Sequence, residues 1–179
     1  MRQKFLITVV MILFLQLTVV KTEAIEPVYI DSATLASNNF VESDFHIQKQ
    51  AIENILKKND SILFNYAHDY LMASYAYNLD PYLLVSISGL ESSFGSRMKR
   101  NTYNAYGWGG GHLAFESWPH GIFTISKSLR FKYLNRGAKT IDDIGKIYAE
   151  SPTWSIRVKK IIAKFNQEEL RLRRLSYLL

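Results

Sequence analysis

The sequence predicts a mainly α-helical domain, and three observations carry that expectation. Apolar residues recur at three- and four-residue spacing in successive stretches from Asp44 onward. Helix-opening signals precede several stretches: Asp80-Pro81, Thr140 with Asp143, and Ser151-Pro152. Residues 96–116 stand apart, with three glycines in a row (Gly109 to Gly111), several aromatics and few periodic positions. They read as a long loop with room for a small β-hairpin, and a long loop inside a compact domain is usually functional.

In chain order, Arg2 and Lys4 precede an apolar run from Phe5 to Val20, followed by Thr22-Glu23-Ala24. A basic start, an apolar run and small residues at that spacing match a secretory signal, residues 1–24, cleaved after Ala24. The other reading is an uncleaved N-terminal anchor, the only route by which this chain would contact a membrane. Either way the working domain is expected outside the cytoplasm: secreted, periplasmic or in the cell envelope. Residues 25–43 hold no period and read as an irregular leader to a domain spanning 44–179. Ile47, Ala51, Ile52, Ile55 and Leu56 form the first helical stripe. Leu63, Tyr66, Ala67, Tyr70, Leu71 and Ser74 form a second after Ser61. A third helix opens at Asp80-Pro81 and runs to about Ser93, with Gly95 placed to stop it. Ser117 opens a fourth, with Ile122, Ile125, Leu129 and Tyr133 inward and Gly137 as its end. Thr140 and Asp143 form a capping box for a short helix through Ala149. The last helix starts at Ser151-Pro152, carries Ile156, Val158, Ile161, Ile162 and Phe165, and ends in the basic RLRRLSYLL.

Composition narrows the chemistry. Of 179 residues, 47% are hydrophobic, enough to build a core and to exclude a disordered or collagen-like chain. No cysteine is present, which removes disulfides, thiolate metal sites and cysteine nucleophiles together. With four histidines and no HExxH spacing, neither a metal nor an organic cofactor is implied. Catalysis must then come from carboxylates, hydroxyls or amides. The formal net charge of +6 favours anionic polymers. The basic residues are scattered while the aromatics gather in one loop, so nucleic acid is not the expected partner.

Glu91 is the residue to explain. It lies four residues after Ile87 and seven after Leu84, on an apolar stripe near the end of the third helix. Apolar neighbours and the partially negative helix end both disfavour its charged form, as a general acid requires. The alternative is a glutamate at a helix end, bonded to a loop amide. Ser92 either orients Glu91 or bonds back to its own turn. Trp108 and Trp118 are either sugar-stacking platforms or core anchors. Tyr148 shares a face with Ile141 and Ile144, which on its own reads as a core tyrosine. Glu116, in the loop's far flank, is the best-placed second carboxylate.

Leu90-Glu91-Ser92-Ser93-Phe94-Gly95 and Tyr103-Asn104-Ala105-Tyr106-Gly107-Trp108-Gly109 together resemble the lysozyme-like superfamily. More narrowly, they are similar to bacterial glucosaminidase domains and their lytic transglycosylase relatives. Phe115-Glu116-Ser117-Trp118 and Tyr148-Ala149-Glu150-Ser151-Pro152 continue the likeness, which covers roughly residues 62–165. The resemblance implies a lysozyme-like helical fold with Glu91 as general acid and Tyr148 as a second catalytic-site residue. It also implies that Asn104 and Tyr106 line the cleft, with Ser92, Trp108 and Glu116 among the substrate-contacting positions. The activity implied is cleavage of peptidoglycan glycan strands by a monomeric endo-β-N-acetylglucosaminidase-type hydrolase. A lytic transglycosylase or muramidase outcome on the same substrate is the alternative, since attack by the sugar's own hydroxyl needs no water-activating base. A non-catalytic wall-binding domain is the rival from another class; the Glu91-Ser92 pair would be superfluous to it.

Overall fold

Local signals place the helices and apolar stripes pack them. The computed structural model describes the backbone over residues 32–178 and side chains from residue 42 onward. The expected signal or anchor, residues 1–24, lies outside the described residues. The chain divides into residues 1–35 and 36–179, and the packing described below lies within the second unit. Six α-helices are present among the described residues: α1 (Ser32–Lys58), α2 (Ala67–Ala76), α3 (Leu83–Ser92), α4 (Trp118–Ser128), α5 (Ile141–Tyr148) and α6 (Trp154–Ser176). A 3-10 turn, Ile62–Tyr66, leads into α2, and α4 runs on through a π turn (Leu129–Tyr133) and a 3-10 turn (Leu134–Arg136). The mainly α expectation is met.

Two expectations need correction. The irregular leader of residues 25–43 is helical from Ser32, twelve residues before the expected start at Asp44. Residues 32–43 contain neither proline nor glycine and include Ala and Leu, so nothing stops α1 from propagating backward from its packed half. The long loop contains no strand among its residues. Gly107, Gly109, Gly110 and Gly111 all take positive φ and wind the chain into successive turns, with the Gly111 N–H bonded to the Gly107 carbonyl at 3.0 Å. A chain turning at every residue leaves no extended pair to form a ladder.

Helix α3 is the centre of the domain. Leu83 through Ser88 are buried without a break, and the helix packs against α2, α4 and α6. Asp80 Oδ1 accepts the Tyr82 N–H at 2.8 Å in the turn before the helix, but the helix itself starts at Leu83 with Tyr82 as its cap and no side-chain cap bond, so Pro81 precedes the first turn rather than lying in it. The helix ends at Ser92, within a residue of the expected end near Ser93, and the left-handed turn begins at Ser93 and Phe94, with φ of 51° and 55°, before it reaches Gly95. A left-handed non-glycine residue costs about 1–2 kcal/mol. The return is burial of Phe94 edge-on against Phe165 of α6, with ring centroids 6.3 Å apart. At the start of α5, Thr140 and Asp143 form the expected reciprocal capping box.

Along α6 the buried face is Trp154, Val158, Ile162, Phe165, Glu168 and Leu172. Ile156, expected inward, is 52% exposed, since two residues from Trp154 is about 200° around the helix. The basic end continues the helix and is partly neutralised. Arg173 binds Asp44 at 2.6 Å and also Glu169, while buried Glu168 accepts from Arg171 and from Asn54 Nδ2 of α1. Hydrogen bonding from Arg171 holds the Glu168 carboxyl down at about 2. A carboxyl lowered on folding stabilises fully above its ordinary range, and loses that contribution as pH falls through its folded value. Glu168→Gln is therefore expected to lower the melting temperature at about pH 6, with the gap to wild type closing between pH 4.5 and 2. Melting curves across that range are the check, and a gap independent of pH would remove Glu168 from the acid response.

Candidate active site

The last turn of α3 carries Glu91 out of the core. Leu84 and Ile87 of the same stripe are fully buried, but the stripe opens to solvent at its end and Glu91 is exposed. The expected apolar enclosure of this carboxyl is thus not found, because α3 ends before another element covers its final turn. Polar contacts hold it instead. Oε1 accepts the indole N–H of Trp154 at 2.7 Å. Oε2 faces Gly107, where an added Cβ would lie 3.3 Å away on a backbone with φ of +64°.

Trp154 joins Glu91 to a group of aromatic rings. Its buried indole stacks on Tyr148, with centroids 4.9 Å apart and planes at 29°. Tyr148 in turn lies 5.8 Å from Trp108 and 6.2 Å from Tyr133, and Trp108 lies 6.3 Å from Tyr133. Loop, π turn, α5 and α6 each contribute one ring, and Trp108, Tyr133 and Tyr148 are half-buried rather than sealed. This group contains the expected Glu91, Tyr148 and Trp108 with two residues that the sequence reading did not single out for the site. The sequence pattern marks Tyr133 only as an inward helix position and gives no separate signal of a site role for Trp154. Trp154 lies four residues before Val158 on the α6 stripe, so its burial was available from periodicity. A buried indole N–H needs an acceptor.

The remaining predicted residues have other occupations. Asn104 is buried, and its amide is fully used: Oδ1 accepts the N–H groups of Tyr106 and Trp108, while Nδ2 donates to the carbonyls of Trp108 and Leu113. It organises the loop rather than lining a cleft. Tyr106 is likewise no cleft-lining side chain: its ring is fully buried and its hydroxyl pairs with that of Tyr70 at 3.0 Å. Burial raises the Tyr106 phenol well above its ordinary range. The tyrosine side chain fills the core because Asn104 turns the loop inward there. The Ser92 hydroxyl points away from the Glu91 carboxyl, and one of its acceptors is the Ser88 carbonyl of its own helix turn at 3.1 Å, as the second of its two readings expects. The buried hydroxyl also donates to the Ala105 carbonyl at 2.7 Å and accepts the Gly95 N–H at 2.8 Å, latching the loop to the end of α3. Glu116 is exposed and pairs with His120 in the first turn of α4, 3.5 Å away, rather than with the Glu91 group. Trp118 is a core anchor, buried edge-on to Tyr103.

Tyr148 donates its hydroxyl hydrogen to the Tyr106 carbonyl at 2.7 Å. Burial, then the nearby Glu91 carboxylate, raises its phenol well above the ordinary range, so it stays a neutral donor. Tyr148→Phe is expected to cost about 1 kcal/mol of stability through that lost bond. Retained turnover in the Phe variant would define the hydroxyl as structural, whereas lower turnover at unchanged melting temperature would make it catalytic.

Among the described residues no three histidine, aspartate or glutamate side chains converge to hold a metal ion. A groove of about 490 Å³ runs between α5 and the first turn of α6, lined by Asp142, Lys146, Glu150, Ser151 and Ser155 among others. The site's chemical resources are therefore one exposed carboxyl with a fixed donor on one oxygen, and a partly open wall of aromatic rings. No protein-family model matches the chain, and no curated protein matches it.

Proposed function

We propose that this chain is an exported enzyme that cleaves glycan strands of peptidoglycan, of the endo-β-N-acetylglucosaminidase type on a lysozyme-like fold, with Glu91 as general acid. The observation that carries the reading is an exposed carboxyl held by an indole N–H beside four clustered aromatic rings. Sugar rings present C–H faces that pack on aromatic surfaces, and a carboxylic acid within reach of the bridging oxygen supplies the proton that cleavage needs. The proton on Glu91 passes to that oxygen, the bond to the anomeric carbon breaks with its electron pair left on the oxygen, and a nucleophile closes on the carbon.

The lytic transglycosylase outcome has its own support. Glu91 is the carboxylate bonded into the aromatic group, and Glu116, the other candidate, pairs with His120. Attack by the sugar's own hydroxyl, which yields an anhydro product, fits a site with one acid. Purified cell walls incubated with the protein, followed by mass spectrometry of the released fragments, decide between these. Reducing N-acetylglucosamine ends are expected; anhydro ends would transfer the reading to the transglycosylase, and reducing N-acetylmuramic acid ends to a muramidase. Wall binding without release would make the chain a binding domain.

A further inference from the structure

The Glu91 carboxyl has two inequivalent oxygens. Oε1 is occupied by the Trp154 N–H at 2.7 Å, a donor with no accepting capacity. The carbonyl oxygen of a carboxylic acid is a better acceptor than its hydroxyl oxygen, so the N–H on Oε1 favours the protonated form that carries its hydrogen on Oε2. Oε2 faces the backbone of Gly107, where the missing side chain leaves the space in front of it clear. Trp154 itself has no freedom to move away. Its indole is buried, stacked on Tyr148 and pressed against Gly145, where an added Cβ would come within 3.1 Å of the ring. The ring that fixes the carboxyl is thus fixed in turn by α5.

We infer that Trp154 is the positioning residue for Glu91: it assigns the catalytic proton to Oε2 and holds that oxygen toward the space bordered by Gly107. The inference rests on the glycan-cleaving reading and adds a direction to it. In the forward step Oε2 loses its proton to the bridging oxygen and Glu91 becomes a carboxylate, with Trp154 still donating to Oε1. The incoming water or sugar hydroxyl then sheds a proton that restores the acid, so the cycle balances.

The test uses the full-length protein and Trp154→Phe, which keeps an aromatic ring on Tyr148 and removes only the donor-bearing part. A fall in kcat of tenfold or more with KM nearly unchanged is expected, because the carboxyl is displaced while the sugar-contacting surface stays. Unchanged kcat in a variant of a cleaving wild type overturns the positioning role alone. No cleavage by the wild type overturns the glycan reading instead. A second measurement does not require the Phe variant to fold. The chain has three tryptophans, and their indole N–H resonances can be assigned through bond connectivity in the wild type. The Trp154 resonance is expected to move on acid titration and to shift in Glu91→Ala, which removes the acceptor, with Trp118 unaffected. A Trp154 resonance indifferent to both overturns the hydrogen bond on which the inference stands.

Discussion

Glu91→Gln is expected to reduce glycan cleavage by at least about a hundredfold while leaving the melting temperature close to that of the wild type. Glutamine matches glutamate in size, and its carbonyl oxygen can still accept the Trp154 N–H, so the contact at 2.7 Å survives. What it lacks is a proton to give to a leaving oxygen. The side chain is exposed at the end of α3 and supports no packing there, so the substitution separates chemistry from fold. Fragment release from cell walls measures the first quantity and thermal unfolding the second. Near-wild-type turnover in the purified variant would withdraw Glu91 from the reaction.

Asn104→Ala is expected to have the largest effect on stability. One side chain partners two N–H groups and two carbonyls of the loop, and alanine leaves all four without it. Unsatisfied buried polar groups cost about 1–3 kcal/mol each, but the loop relaxes and exposed groups recover water, so a total near 3 kcal/mol is expected. For a chain of this size that is roughly 10 °C in melting temperature. Activity should fall as well at temperatures where the variant is folded, because Gly107, which borders Glu91, lies between Tyr106 and Trp108, and the Asn104 amide holds both of them. Asn104→Asp keeps the accepting oxygen and loses the donors, and should fall between the two. Thermal melts of the three proteins are the check. A drop of less than about 2 °C in the alanine variant would show that the loop holds its form without Asn104.

The helices were legible in the sequence because their determinants lie within a few residues. The Thr140–Asp143 box and the Leu84–Ile87 stripe of α3 act over one to two turns and formed as the pattern predicts, while Pro81 lies two residues before the helix it was expected to open. The reading failed where local patterns leave the outcome open. Residues 32–43 carry no stripe, yet they hold no helix breaker either, and adjacency to a packed helix extended α1 through them. Glu91 shares a periodicity with buried residues but lies in the last turn, and periodicity does not say where a helix loses its cover.

What the sequence by itself determined is the mainly helical class, the glycine-and-aromatic loop and the position of Glu91 in the last turn of α3. Only the tertiary structure decided which side chains are free to act. Asn104, Tyr106 and Ser92 looked like cleft residues, but each spends its polar atoms inside the protein, on partners as far as Tyr70. Trp154 falls within the predicted last helix with no role marked by its neighbours, yet it crosses 63 positions of sequence to bond Glu91. Helix formation is governed by neighbours three or four residues away. The spending of a hydrogen-bonding atom is governed by whichever group packing brings to it, and that group can come from anywhere in the chain.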